Sequence, residues 1–349
     1  MRRLFPKASP SPTLPPPVLW IIFIAVVCVL LAIDLGLLNP EPHVVHAKEA
    51  LKWTALWTTL ALAFGGFLFW GYDAGFMGLG TTVGLPQTGQ EAALAYVTGY
   101  LVELSLSMDN VFAIALIFTA FGIQGKFQHR VLFWGILGAI VFRGIMVAVG
   151  AALLQRFEWI LYVFGVILLY SAWTMYRSGG EEVDPRDNKV VRWFSKLYPV
   201  STEHHGASFF TVRDGVRMAT PAFVALLVVE TTDVLFAFDS IPAIFGITRD
   251  PFIVFTSNIF AILGLRSLYF VLASMMDRFH LLKYALVLIL AFVGVKLLLH
   301  DVFHIPALVS LGVVVVLLTG GVILSLRQNP TSVAEVDQRA ATPKHAKLE

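Results

Sequence analysis

Residues 103–110 read ELSLSMDN and residues 230–240 read ETTDVLFAFDS, and both stretches lie inside apolar segments long enough to cross a membrane. Placing one carboxylate at bilayer depth costs roughly 2.5–3.5 kcal/mol on insertion scales. The two stretches hold five carboxylates between them, so we expect these groups to serve a function. Oxygen-rich clusters of this kind suit a hard divalent cation or a proton path.

The overall composition is that of a polytopic membrane protein. Of the 349 residues, 57% are hydrophobic and 14% are charged, and the mean hydropathy is +0.77. A soluble domain of this length would need far more polar surface, so we expect an all-α protein embedded in the lipid bilayer. The net charge of +2 gives no reason to expect a nucleic-acid partner, and Cys28, the single cysteine, permits no intrachain disulfide. The sequence contains neither H-E-x-x-H nor G-x-S-x-G, so we predict a protein that is not an enzyme and has no resident cofactor.

Apolar runs separated by Gly and Pro predict about nine transmembrane helices. They lie near residues 18–38, 53–77, 93–122, 131–154, 159–176, 221–247, 252–275, 283–300 and 306–326. The predicted segments are a polar Pro-rich leader (1–17), two helices (18–92), a first three-helix repeat (93–176), a linker loop (177–220), a second three-helix repeat (221–300), a last helix (301–326) and a disordered tail (327–349).

Lys and Arg are distributed unequally between alternate loops. About 17 of them fall on the side that holds the 177–220 loop and the C-terminal tail, and about five fall on the other side. Cytoplasmic loops carry an excess of Lys and Arg, so this loop and the tail are predicted to face the cytoplasm of a bacterial inner membrane. The N-terminus is then left outside, and Arg2, Arg3 and Lys7 argue against that placement.

The two acidic stretches belong to two similar halves of the chain. Residues 109–123 and 233–247 share seven identities in 15 positions. A shift of six residues gives a second register that matches the polar groups instead: Glu103 with Asp233, Asp109 with Asp239, and Asn110 with Ser240. Each half has three helices, an odd number, so we predict inverted repeats that carry the acidic motifs on broken or bent helices near the midplane.

The spacings E-x5-D-N and E-x2-D-x5-D-S-I-P-A, each inside a membrane segment, make residues 45–326 resemble the TerC family of integral membrane proteins. That family is named for tellurium resistance and includes Alx-type proteins associated with manganese export and metal homeostasis. The resemblance implies a transported divalent cation, with manganese expected. The residue spacing by itself indicates only a site for a hard cation or a proton.

The predicted metal ligands are all oxygen donors, which suit magnesium, manganese or calcium better than copper or zinc. They are Glu103, Asp109, Asn110, Glu230, Asp233, Asp239 and Ser240. Asp109 and Asp239 are the favoured direct ligands, because each is followed by an amide or a hydroxyl. A spacing of six residues on an unbroken helix separates two groups by about 120°. Convergence therefore needs a bend, which Pro242 offers, or a cavity reached from two sides.

Several roles stay open at this level. Arg143 and Arg266 occupy matching places in the repeat and are predicted to form ion pairs that support the acids, because five ionised carboxylates cannot sit together unrelieved. Proton release on metal binding would then give a basis for proton-coupled transport. Asn258 either lines the cavity or bonds a neighbouring helix. The alternative function is a non-transport membrane scaffold or insertion helper linked to tellurium or stress resistance.

Overall fold

The structure is a computed structural model, and it describes residues 17–36, 47–81, 85–157, 159–177, 189–201, 208–213, 215–273, 282–303 and 305–327. These ranges are mostly helical, which confirms the predicted all-α polytopic fold. Their elements are α1 (Pro17–Gly36), α2 (Ala47–Asp73), α3 (Gly89–Ala120), α4 (Gly125–Arg156), α5 (Ile160–Arg177), α6 (Lys189–Leu197), β1 (Phe210–Arg213), β2 (Val216–Ala219), α7 (Pro221–Phe245), α8 (Pro251–Ala273), α9 (Leu282–Leu298) and α10 (Ala307–Arg327). The predicted leader and disordered tail lie outside the described residues, apart from Pro17 and Arg327.

Within the described ranges, seven helices are long and apolar enough to cross a membrane, namely α2, α3, α4, α5, α7, α8 and α10. Helices α1, with 20 residues, and α9, with 17, stand where the other two predicted spans lie. Several helices begin before their apolar runs. Helix α2, for example, starts at Ala47 and includes the polar residues Glu49 and Lys52.

Helix α8 is the innermost element. Every residue from 251 to 269 is buried, and the helix packs against α2, α3 and α4. Trp20 and Phe23 of α1 cover its first turn, with ring centroids 5.2 and 5.9 Å from that of Phe252. Because α8 is shielded on all sides, its polar side chains must find partners within the protein.

Large apolar side chains cover the outside of the outer helices. Examples that are roughly half or more exposed are Ile21, Ile24, Val166, Trp173 and Val316. An apolar surface this extensive is unfavourable in water and is suited to contact with lipid tails. It fits the predicted lipid bilayer.

The two three-helix halves are α3–α5 and α7–α9, and each packs its first helix on the second helix of the other half. Helix α3 packs on α8 and its counterpart α7 packs on α4, while α5 packs on α9. Gly165 and Gly294 face each other at that last crossing, where a Cβ added to either would lie 3.0–3.1 Å from the carbonyl oxygen of the other. Gly99 of α3 packs against Ile244 of α7, whereas Asn110, farther along α3, bonds Asp233, which comes earlier in α7, so these two helices run in opposite directions. This pattern is what an inverted repeat would give.

Both acidic motifs lie on continuous helices. Helix α3 runs for 32 residues, and α7 runs for 25 residues with Pro242 in its last turns. Thr88 and Thr220 cap their N-termini by accepting hydrogen bonds from the backbone N–H three residues on. The prediction allowed a break or a bend, and neither helix contains a break. The polar groups of the two motifs face a shared space from different helices.

The 177–220 segment holds regular structure that the sequence analysis did not predict. Helix α6 packs on α7. Strands β1 and β2 form an antiparallel hairpin that pairs Arg213 with Val216 around Gly215, whose φ of 77° is in the left-handed region. These elements lie at the end of the bundle where α5 ends and α7 begins.

Candidate functional site

Arg143 of α4 is the centre of a buried polar cluster, and only 1% of its side chain is exposed. Its Nε and Nη2 donate to the two carboxylate oxygens of Asp233 on α7, at 3.1 and 2.8 Å. Its Nη1 donates to Glu103 on α3 and, at 3.1 Å, to Oδ1 of Asn258 on α8. A guanidinium can hold two carboxylates at once because its donors form a rigid fork. One cation therefore ties four helices together.

Asn258 completes the cluster from the innermost helix. Its Nδ2 donates to Oε2 of Glu103 at 3.1 Å, and both side chains are fully buried. Of the two roles left open for this amide, bonding a neighbouring helix is the one observed. It holds Glu103 and Arg143 in their mutual orientation, because it donates to one and accepts from the other.

Asn110 and Ser240 bring the remaining parts of both motifs to the same place. Asn110 Nδ2 donates to Asp233 Oδ1 at 3.4 Å, and Ser240 Oγ accepts from Arg143 Nη1 at 3.5 Å. Among the side chains that the structure describes, none forms a hydrogen bond with the buried Asn110 Oδ1. An unpaired buried acceptor costs about 1–3 kcal/mol, so this oxygen is available for a further donor or a cation.

A small cavity of about 10 Å³ lies beside the cluster. It is lined by Glu103, Leu106, Asn110, Arg143, Met175, Phe236, Asp239 and Ser240. Its size is close to the minimum for one water, or for a single small ion. The Asp239 carboxylate is held here by Ser171 of α5, whose hydroxyl donates to it at 2.5 Å.

Three predicted site residues remain. Glu230 and Arg266 lie apart from the cluster, and the side chain of Asp109 is not described. The Glu230 carboxylate packs against Gly138 of α4, and its buried Oε2 has no hydrogen-bond partner in the part of the chain that the structure describes. Nη1 of Arg266 lies 2.8 Å from Nε2 of His129, so the arginine seen among the acids is Arg143. Asp109 continues α3, but its side chain is not among those described.

Glu103 and Asp233, the two acids that the six-residue shift matches, both accept hydrogen bonds from Arg143. Among the side chains that the structure describes, no three His, Cys, Asp or Glu residues come close enough to hold a metal ion. The cavity mixes carboxylates with the neutral oxygens of Asn110 and Ser240. The predicted metal site therefore stays a prediction.

Asp250 is a positioning residue that the sequence analysis missed. Its Oδ1 accepts from the backbone N–H of Phe252 at 2.9 Å, and its Oδ2 accepts from the hydroxyl of Tyr72 at 2.6 Å. Burial raises the pKa of this carboxyl above its usual value, and these hydrogen bonds oppose the rise. An Asp directly before Pro251 is a helix-start signal that could have revealed it. It fixes the start of α8, and with it the depth of Asn258.

The chain is similar to membrane proteins of one family. The family model described as integral membrane protein TerC family matches residues 88–332, which include both acidic motifs. The chain is 45% identical to a membrane protein of Myxococcus xanthus over 327 residues, 93% of this chain and 98% of that protein. It is 46% identical over 299 residues to Alx of Escherichia coli K12, covering 85% of this chain and 91% of Alx, whose name proposes a membrane-bound redox modulator. A Rickettsia felis membrane protein is 40% identical over 307 residues, 88% of this chain and 97% of that protein. No solved structure matches significantly.

Proposed function

This chain belongs to the integral membrane protein TerC family, and we propose that it transports a divalent metal ion, with manganese expected, out of the cytoplasm across the bacterial inner membrane. The observation that carries the proposal is the buried, oxygen-rich cluster beside a small cavity where the two halves meet. The cytoplasmic placement of the 177–220 loop and the C-terminus is part of the same proposal.

The charges of this cluster do not balance. Glu103 and Asp233 share the single guanidinium of Arg143, and Asp239 lines the same cavity. If all three carboxylates are ionised, two negative charges are left uncompensated. Removing an ion from water costs several kcal/mol even after relaxation. A divalent cation would offset that cost.

Arg143 acts in this proposal as the internal counter-ion of the site between cation-binding events. It holds Glu103 and Asp233. The other oxygens at the cavity are those of Asp239, Ser240 Oγ, which is 3.5 Å from Arg143 Nη1, and Asn110 Oδ1, which has no partner among the described residues. Oxygen donors favour magnesium, manganese and calcium. The choice of manganese among these rests on the resemblance to Alx-type proteins.

The direct test is the manganese content of cells grown in manganese excess, measured by plasma mass spectrometry with and without the protein. We expect the wild type to lower the content, and Asp239→Ala and Asp109→Ala to abolish that effect. The matched control is Asp301→Asn, because this carboxylate is 67% exposed in a loop. An unchanged content with the wild type would contradict transport.

Proton coupling is tested separately in everted vesicles that contain a pH-sensitive dye. Binding of a cation to buried carboxylates displaces protons, so manganese uptake should be accompanied by proton release from the vesicle interior. Manganese uptake without proton movement would remove the antiport but leave the transport proposal intact.

The second candidate function is a membrane scaffold or insertion helper. Helix α6 and the β1–β2 hairpin give it a structured surface outside the spans. Such a role needs no convergent carboxylates, so the double variant Asp109→Asn with Asp239→Asn should retain it. The redox role in the name of Alx cannot here rest on an intrachain dithiol, because these 349 residues contain one cysteine.

A further inference from the structure

Helix α6 has an apolar edge that the described part of the protein leaves uncovered. Its inner side packs on α7: Val191 is buried, and the Phe194 ring lies 5.5 Å from that of Phe223. Trp193 and Leu197, one turn apart, are 63% and 65% exposed. Two large apolar side chains thus point away from the bundle beside those that point into it.

A basic edge runs beside this apolar edge. Arg192 and Lys196 are also one turn apart, and both are exposed. At about 100° per residue they project on the other side of Trp193 from Phe194. A helix with Trp and Leu along one side and Lys or Arg along the next has the pattern of helices that lie in the membrane interface.

The place of α6 in the fold puts these edges at the level of the lipid head groups. Helix α6 packs on the first turn of α7, which begins at Pro221 and crosses the membrane. Trp is enriched at this level because its ring is apolar and its N–H is polar. The neighbouring hairpin repeats the pattern, with exposed Val212 and Val216 and with Arg217 stacked 4.6 Å from the ring of Phe210.

We propose that Arg192, Trp193, Lys196 and Leu197 form a lipid-binding surface that lies on the bilayer and binds anionic phospholipid head groups. The apolar side chains enter the boundary of the acyl chains, and the two cations meet the phosphates. The surface anchors the connection between the two halves, and it does not depend on what the protein transports. The acids of residues 181–187 precede it in the sequence, so its charge and its apolar contact need separate tests.

The test is the depth of a nitroxide label in lipid nanodiscs. Cys28→Ser provides the background, and Leu197→Cys or Ser195→Cys carries the label; Ser195 is the matched control because it is exposed on the polar side of α6. Collisions with oxygen report lipid contact, and collisions with a water-soluble nickel chelate report water contact. Nanodiscs of phosphatidylcholine alone are compared with nanodiscs that also contain phosphatidylglycerol.

We expect the oxygen-to-nickel ratio at position 197 to exceed that at position 195 several-fold in the phosphatidylglycerol nanodiscs. Adding Arg192→Gln with Lys196→Gln should return the ratio at 197 to its value in phosphatidylcholine. Equal ratios at the two positions would overturn the proposal. So would a label at 197 that neither reagent reaches, because protein would then cover the surface. A ratio at 197 that does not depend on phosphatidylglycerol would overturn the binding of anionic head groups.

Discussion

The α4–α7 contact and the α3–α8 contact correspond to each other in the two halves of the protein, but different polar side chains form them. Where α7 packs on α4, Asp233 accepts two hydrogen bonds from the guanidinium of Arg143. Where α3 packs on α8, Glu103 accepts one from the neutral amide of Asn258. The arginine of the first contact then also reaches the acid of the second.

The difference shows that the halves share a packing plan but not a charge balance. An arginine in each contact would neutralise both acids and leave little attraction for a cation. A single arginine keeps Glu103 and Asp233 ordered but can balance the charge of only one of these two acids. A repeat can thus supply the frame of a site, and one asymmetric residue can supply its charge.

The strongest way to break this asymmetry is Arg143→Leu. The substitution leaves Glu103 and Asp233 buried without their cation, and breaking a buried pair in this way costs about 3–5 kcal/mol. We expect a large fall in the unfolding temperature of the detergent-solubilised protein. Adding Glu103→Gln and Asp233→Asn should recover part of the loss, since no carboxylate is then left unpaired. A melting temperature equal to that of the wild type would show that the guanidinium does not stabilise the cluster.

The second contact is tested with Asn258→Ala. Glu103 loses a donor and Arg143 loses an acceptor, and hydrogen bonds to charged groups are each worth about 1.5–3 kcal/mol. The loss of stability should be clear but smaller than for Arg143→Leu. Ser257→Ala is the matched control, because this neighbouring hydroxyl bonds only within its own helix among the contacts described, to the carbonyl of Val254 at 3.2 Å. Equal effects of the two substitutions would deny Asn258 a special role.

A smaller effect is expected from Gly138→Ala in the α4–α7 contact. The added methyl group would occupy the place of the Glu230 carboxylate, so that side chain must move. Overpacking of this kind costs about 1–3 kcal/mol. Gly66→Ala is the control, because no atom of the described residues lies within 4 Å of the Cβ it adds. Thermal unfolding of both variants decides whether Glu230 is fixed in its niche; equal stability would mean that it is not.

The helices could be predicted because apolar runs and the Pro and Gly residues between them are local signals. The meeting of Arg143 with the acids also followed from the sequence, since a buried cation needs such partners. The different partners of Arg143 and Arg266 could not be predicted, because both arginines lie in similar apolar segments and tertiary packing decides which side chains they meet. Asn258 stayed undecided for the same reason.

The helix and the two strands outside the spans could not be predicted because they are short. Helix α6 has nine residues and each strand has four, too few for periodicity to stand out in a polar segment. The Asp-Gly pair before Val216 is a hairpin signal and could have revealed the turn. The contact between Tyr72 and Asp250 joins residues 178 positions apart, and a single sequence does not report such distant pairs.

The smallest expected effect on stability comes from glycine substitutions in the α3–α8 and α4–α7 contacts. A Cβ at Gly99 would lie 3.0 Å from Ser257 Oγ and 3.3 Å from Ile244, whereas one at Gly135 would lie 3.1 Å from a methyl group of Val229. Replacing Gly by Ala also favours a helix by up to about 1 kcal/mol, which offsets part of the crowding. Gly135→Ala should therefore be close to neutral, because its neighbour is one side-chain methyl. Gly99→Ala should cost about 1 kcal/mol, because Ser257 is bonded in place and α8 has no free side toward which it can shift. Thermal unfolding of the two variants, measured side by side, checks this order, and a larger loss for Gly135→Ala would reverse the assignment of the tighter contact to α3 and α8.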